Sequence, residues 1–150
     1  MIRVQQGDFD PAAEIDKLLA GRTDIGALVT FTGLVRDIAG DQAISAMTLE
    51  HYPGMTERQL QEIERQAHER WPLDASLIIH RVGRMAPGER IVLVAAASAH
   101  RKAAFEAAEF LIDWLKTKAP FWKLEESPDG AQNWVDAREA DCAAAARWER

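Results

Sequence analysis

Three short segments of the chain place cations where the surrounding apolar pattern has no need of them. Phe31-Thr32-Gly33-Leu34-Val35-Arg36 reads as a strand that ends in arginine. A guanidinium there is either a solvated strand-end charge or a planar fork aimed at a phosphate or carboxylate. Ser98-Ala99-His100-Arg101-Lys102 lies between an apolar strand and the start of a long helix. A helix N-terminus already offers unpaired N–H groups and the positive end of the dipole, so each cation there costs the helix about 0.3–1 kcal/mol. An anion bound at the turn would offset that cost; the plainer alternative is an exposed basic turn. The third segment is Lys116-Thr117-Lys118-Ala119-Pro120-Phe121-Trp122-Lys123. Lys116 and Lys118 fall in the last helical turn, where lysines complement the dipole. Lys123 sits in an extended stretch beside two aromatics. It is either a stem snorkelling along the rings or a desolvated lysine suited to nucleophilic or proton-donor chemistry.

These cations are a local feature. Residues 100–123 carry five Lys or Arg against three acids, whereas the whole 150-residue chain has a net charge of −6. A local positive field in an acidic protein suits a small anionic molecule, and it argues against nucleic acid, which wants a basic face. With 47% hydrophobic residues the chain can bury a single core. No run approaches the roughly 20 apolar residues of a membrane helix, and the first residues, Met1 to Asp8, hold no apolar signal core. A lone cysteine, Cys142, excludes an intrachain disulfide and fits a reducing compartment. The expectation is a cytoplasmic protein with no membrane partner.

Other chemistries find little support. The four histidines, His51, His68, His80 and His100, show no metal-ligand spacing, so no metal is expected. Phosphate-binding glycine loops and the GxSxG elbow are missing, and Cys142 reads as a passive small residue.

The elements that must position the cations follow from pattern. Ile2 to Gln5 is a short strand. Asp10-Pro11 starts a helix that ends at Gly21, and Ala27 to Val35 is a strand with Gly33 as a bulge. Across a loop at 37–42, Ile44 to Leu49 is a second strand, with a hairpin as the economical connection. Thr56 and Gln59 have capping-box spacing before a helix that stops at Trp71-Pro72. Ser76 to Val82 and Ile91 to Ala97 are strands flanking Pro87-Gly88. A helix from Ala99 to Lys118 ends before Pro120, Phe121 to Glu125 is extended, and Asn133 to Val135 is a short strand. Asp136 caps a final alanine-rich helix through Arg147. Frequent hairpins predict an α+β fold, a mainly antiparallel sheet packed against helices in one domain spanning 1–150.

In this order the segments FTGLVR (31–36), LEHYPGM (49–55), RWPL (70–73), IHRVG (79–83), SAHR (98–101), FEA (105–107) and LKTKAPFWK (115–123) resemble the large catalytic subunit of molybdopterin synthase, the MoaE family. The resemblance implies the α/β hammerhead type of fold and a sulfur transferase of molybdenum cofactor synthesis. Such an enzyme converts cyclic pyranopterin monophosphate to molybdopterin by installing a dithiolene. The sulfur donor would be the C-terminal thiocarboxylate of a small ubiquitin-like partner of the MoaD type, and no metal or other cofactor is implied. The large subunit would be a homodimer with two small subunits, a heterotetramer. By motif, Lys116 and Lys123 correspond to the catalytic lysines. Leu34, Val35, Arg36, His100, Arg101, Leu124 and Glu125, with the two lysines, correspond to the substrate-binding residues. Where relatives often carry a basic residue this chain has Leu34 and Leu124, so main-chain contacts are expected there. Two rival readings are a non-catalytic module that grips a ubiquitin-like Gly-Gly tail and a lysine Schiff-base enzyme acting on a phosphorylated carbonyl compound.

Arg101 and Lys116 are 15 residues apart. In one helix that is about 22 Å along the axis. Two long side chains do not easily close such a gap. The expectation is that His100 and Arg101 of one subunit complete the site that holds Lys116 and Lys123 of the other.

Overall fold

Residues 1–136 and 138–149 are described by the structure, a computed structural model. The chain runs β1 (Ile2–Gln5), α1 (Pro11–Leu19), β2 (Ala27–Leu34), β3 (Ile38–Ala39), β4 (Gln42–Ala43), β5 (Ala46–His51), α2 (Met55–Arg70), β6 (Leu73–Arg81), β7 (Gly83–Met85), β8 (Arg90–Ser98), α3 (Arg101–Thr117), β9 (Phe121–Glu126), β10 (Gln132–Val135) and α4 (Glu139–Ala146), with a last 3-10 turn at Arg147–Glu149. The strands form two four-stranded sheets and a two-stranded ribbon. The first sheet has the order β1-β6-β8-β2, the second β10-β9-β5-β7, and the ribbon is β3-β4. All pairs are antiparallel except β1 with β6. The expected α+β class holds, with two sheets in place of one.

Burial explains the first sheet. β8 is an almost unbroken apolar run because both of its faces are covered. One face packs Val92 and Val94 with Ile78 against Leu60, Ile63, Phe110, Leu111 and Leu115 of α2 and α3. The other packs Leu93 and Ala95 against Leu77, Ile79 and Phe9, with Leu18 of α1. Ala96, Ala107 and Ala108 form a smaller cluster where α3 lies close on the sheet. Small side chains there let the helix backbone approach.

Three connections carry the chain from the first sheet to the second, and two of them deliver the cations. β2 leads through the ribbon to β5, and α3 leads from β8 to β9. Between β6 and β7, Gly83 turns the chain at φ +91°, a conformation that side chains with a Cβ resist.

Local signals that the sequence carries are visible in detail. The Asp10 carboxylate accepts hydrogen bonds from the N–H groups of Ala12 (3.0 Å) and Ala13 (3.4 Å), with Pro11 at the first helical position. The register shift falls between Gly33 and Leu34.

Other expectations need correction. Ala27–Leu34 and Ala46–His51 do not form a hairpin: β2 pairs with β8, and β5 pairs with β7 and β9. The ribbon at 38–43 separates the two strands into different sheets. α2 is capped two residues earlier than expected, the Glu57 carboxylate accepting from Gly54 N–H at 2.6 Å. Thr56 is fully buried, its hydroxyl donating to Tyr52 O at 2.7 Å. Arg138, not Asp136, precedes the first turn of α4, and Ala137 of that expected helix lies outside the described residues.

Candidate functional site

The cations gather where β2, α3 and β9 end or begin. Val35 fixes the first of them. Its N–H donates to Glu89 O (2.9 Å), its carbonyl accepts from Gly88 N–H (2.8 Å), and its side chain is buried with Met47, Leu49 and Met85. Arg36 therefore projects from a fixed point, while its own side chain is exposed. Val35 offers no free backbone group to a ligand.

Lys116 lies in the last turn of α3, off the buried face that holds Leu111 and Leu115. It is solvent-accessible, yet its ammonium is hemmed in by protein. Burial first, then the nearby Lys123, push its pKa below the ordinary lysine value; Arg138 and Arg36 act in the same direction and Asp141 opposes them. The lysine at the end of α3 thus lies within electrostatic reach of a lysine of β9, an arginine beyond β2, and an arginine and an aspartate at the start of α4.

Lys123 is half-buried and is paired across the sheet with Leu49 of β5 and Val135 of β10. Two residues earlier on the same face, Phe121 stacks on His80 with ring centroids 3.8 Å apart and planes 14° apart. His80 is buried in β6, with Nδ1 2.9 Å from Arg81 O. Burial holds its pKa down to about 4, with Lys116, Lys123 and His51 adding repulsion against the charged form. The ring is thus neutral near pH 7, and Nδ1–H is the donor to the carbonyl. A neutral aromatic floor supports the lysine pair without adding a third charge.

Not every expected site residue joins this cluster. Leu124 sits between Thr48 and Trp134, paired on both sides, so its backbone belongs to the sheet and its side chain points to the face opposite Lys123. Glu125 shares the face of Lys123 and lines a shallow hollow of about 130 Å³ with Gln42, Ile44 and Asn133. Leu34 is 54% exposed just beyond the bulge. His100 and Arg101 are exposed at the far end of α3, and His100 makes no side-chain capping bond. Their turn is set by Gly26, where a Cβ would stand 2.1 Å from Ala99 O.

The sequence reading missed His80, Arg138 and Asp141. His80 stands in an apolar strand and reads as core; its stacking partner is distant in sequence. Arg138 and Asp141 gain meaning only through the docking of α4 on α3. Lys118, in contrast, turns away from the cluster and pairs with Glu149 at 2.9 Å.

A larger cavity of about 430 Å³ lies between α2, α3 and the last turn, walled by Phe110, Trp114 and Trp148. It does not reach Lys116, Lys123 or Arg36. The chemistry belongs with the cation cluster, where Lys116, Lys123 and the buried His80 bear on one another. Among the described residues no group of three or more His, Cys, Asp or Glu is placed to hold a metal ion, and no helix is long and apolar enough to cross a membrane.

An α+β frame that sets Lys116 within electrostatic reach of a second lysine and two arginines has the local charge to hold an anion. The MoaE protein family model matches residues 4–118. The molybdopterin synthase catalytic subunit of Mesorhizobium japonicum is 57% identical over 149 residues, 99% of this chain and 92% of that one. The solved molybdopterin biosynthesis MoaE protein from Burkholderia ambifaria is 51% identical, with a TM-score of 0.84 over 100% of this chain and 98% of that chain. At 22% identity and a TM-score of 0.72, covering 92% and 90% of the two chains, a protein–protein complex of subunits 1 and 2 of molybdopterin-converting factor from Helicobacter pylori shares the fold. The chain belongs to the MoaE family, the catalytic subunits of molybdopterin synthase.

Proposed function

We infer that this chain converts cyclic pyranopterin monophosphate to molybdopterin, taking sulfur from the C-terminal thiocarboxylate of a small ubiquitin-like, MoaD-type carrier. The reading is supported by membership of the MoaE family together with Lys116 lying within electrostatic reach of Lys123, Arg138 and Arg36 at one corner of the fold. A cyclic phosphate and a thiocarboxylate are both anions, and such a corner suits both.

The chemistry assigns work to each part. The sulfur donor is itself the nucleophile, so no metal is needed to make one. Opening the cyclic phosphate builds negative charge on the departing oxygen, which guanidinium and ammonium groups stabilise. Arg36 binds the anionic part of the substrate, with His100 and Arg101 supplied by the partner subunit of a homodimer. Lys116 and Lys123 are the catalytic lysines: they polarise the substrate, hold the incoming thiocarboxylate and deliver protons. Leu34 and Glu125 form the substrate wall, Val35 packs so as to aim Arg36, and Leu124, turned to the opposite face, holds β9 in its sheet beside Lys123. The chain acts as one domain over 1–150, in the cytoplasm, within a heterotetramer of two large and two small subunits. The Helicobacter pylori neighbour, solved as a complex of two subunits, is in keeping with a protein partner.

Reconstitution tests this directly. The protein, a thiocarboxylated Gly-Gly carrier and cyclic pyranopterin monophosphate are combined and assayed for dithiolene product. Product that depends on Lys116, with carrier binding intact in Lys116→Ala, is the expected result. Carrier binding without product from the intact protein would turn the reading to a tail-binding module.

A further inference from the structure

The backbone that carries Arg36 is tied to a single turn. Arg36 lies beyond the last residue of β2 and its side chain is exposed, so its aim is set by the backbone beneath it. Val35, the residue before it, gives its N–H to Glu89 O and takes Gly88 N–H on its own carbonyl. Ala86-Pro87-Gly88-Glu89 is a tight turn with proline second and Gly88 third at φ +89°, the order a type II turn favours. Glu89 N–H donates to Ala86 O at 3.1 Å, which by itself closes such a turn. Here the turn is closed a second time, because Glu89 Oε2 accepts from Ala86 N–H. The other carboxylate oxygen, Oε1, accepts from Arg81 Nη1 at 3.3 Å. Arg81 is the last residue of β6, and its side chain is only 7% exposed. It also donates from Nη1 to Arg90 O (2.9 Å) and from Nε to Gln6 O (3.0 Å). Desolvating a guanidinium is costly, and a connection between two strands does not need one. What the extra bonds hold still is the turn that carries Val35.

We propose that Glu89, held by Arg81, is the positioning residue of Arg36: its carboxylate fixes the 86–89 turn, and the backbone of that turn fixes Val35, so that the guanidinium next along the chain meets an anionic ligand at a set place. The apolar side of the same arrangement is Met85, directly before the turn, which is buried in one cluster with Val35. On the far side of Arg36 the chain is tied differently. Asp37 O accepts from Ile44 N–H at 2.7 Å, and the ribbon between those two residues pairs with neither sheet. The bonds of Val35 are therefore what ties Arg36 to the body of the fold. Ala86 N–H first, and Arg81 as well, hold the Glu89 carboxyl below the ordinary glutamate value, so the carboxylate is charged at neutral pH. Since Arg36 binds and the lysines react, loosening the turn should weaken the hold on an anion and leave the reacting groups in place. The fixing of Val35 is a property of this chain alone, while its use in holding substrate rests on the function proposed above.

The test has two readouts on the full-length protein. Amide hydrogen exchange, followed residue by residue by NMR, reports on the turn without any assay of activity. Glu89→Ala should speed exchange at Val35 and Gly88 by about tenfold relative to the amides of Leu93 and Val94 in β8. Acceleration no greater at Val35 than in β8 reports a general loss of stability and overturns the proposal. The second readout is equilibrium binding of cyclic pyranopterin monophosphate without the carrier. Glu89→Ala should weaken it by about tenfold. Glu89→Gln, whose amide oxygen still accepts from Ala86 N–H, should weaken it less. Added to Arg36→Ala, Glu89→Ala should cost nothing further, because its effect runs through the arginine already removed. Losses that add in the double variant overturn the proposal. If Glu89→Ala does not fold, Arg81→Lys, which keeps the charge and loses the planar fork, decides the matter by the same two comparisons. Selective acceleration at Val35 in Glu89→Ala, with a parent protein that binds no pterin phosphate, would keep the positioning and sink the proposed function.

Discussion

The two ends of α3 carry the same kinds of side chain in opposite surroundings. At its start, His100 and Arg101 stand exposed on a turn, against the helix dipole. At its end, burial makes the Lys116 ammonium easier to deprotonate, and the charges of Lys123, Arg138 and Arg36 act in the same direction. The difference teaches that residue type alone does not make a reactive group. The crowded end has its chemistry set by neighbours within the chain. The exposed end has cations without such neighbours, and a second subunit is what the account supplies.

Experiments that break this contrast can be ranked by size. Replacing the crowded lysine is the most damaging. Lys116→Ala should lower kcat by about 10²–10⁴-fold, with thermal unfolding near that of the parent, measured in the reconstituted reaction. Raising pH should act in the same direction on the parent, because an ammonium whose pKa is depressed is lost earlier as pH rises.

His80 comes next. Its folded-state pKa of about 4 lies below the ordinary 6.5, so the unfolded chain binds more protons between those values. Its contribution is therefore fully present above pH 6.5 and is lost as pH falls toward 4. The loss is on the order of 3 kcal/mol. Urea unfolding at pH 7 and pH 4.5 should show that fall in the parent, and a flatter dependence in His80→Phe.

At the exposed end, Gly26→Ala would drive a Cβ into Ala99 O and displace the turn that presents His100. A cost of about 1–3 kcal/mol is expected, read as a lower urea midpoint. Smallest of all is Lys118→Ala. Its pair with Glu149 is solvent-exposed, so stability should change by less than about 1 kcal/mol, and turnover should not change. A large loss of turnover there would mean that a third lysine belongs to the cluster.

Legibility followed the range of the interaction. Asp10-Pro11 at the head of α1, the bulge at Gly33 and the stop before Pro120 are local chemistry, and they were readable from the sequence. The partner of Ala27–Leu34 was not. A hairpin to Ile44–Leu49 is the economical choice locally, whereas the apolar run of β8, some sixty residues on, offers more burial and takes the strand. The cap of α2 shows a subtler failure: Thr56/Gln59 and Gly54/Glu57 have the same spacing, and burial of the Thr56 hydroxyl against Tyr52 decided between them. In the site, Arg36, Lys116 and Lys123 stood out because cations interrupted apolar segments. Arg138 and Asp141 did not, since an alanine-rich helix discloses nothing about the stripe of α3 on which it docks.

The most direct test of the shared site mixes two inactive proteins. Lys116→Ala and Arg101→Ala subunits are unfolded together, refolded as dimers, and assayed with the carrier and substrate. If each site takes its lysines from one subunit and His100-Arg101 from the other, half of the dimers are mixed and each of these has one intact site. Activity should then return to about a quarter of the parent's. Recovery no greater than the sum of the two variants alone would contradict a site built from both ends of α3.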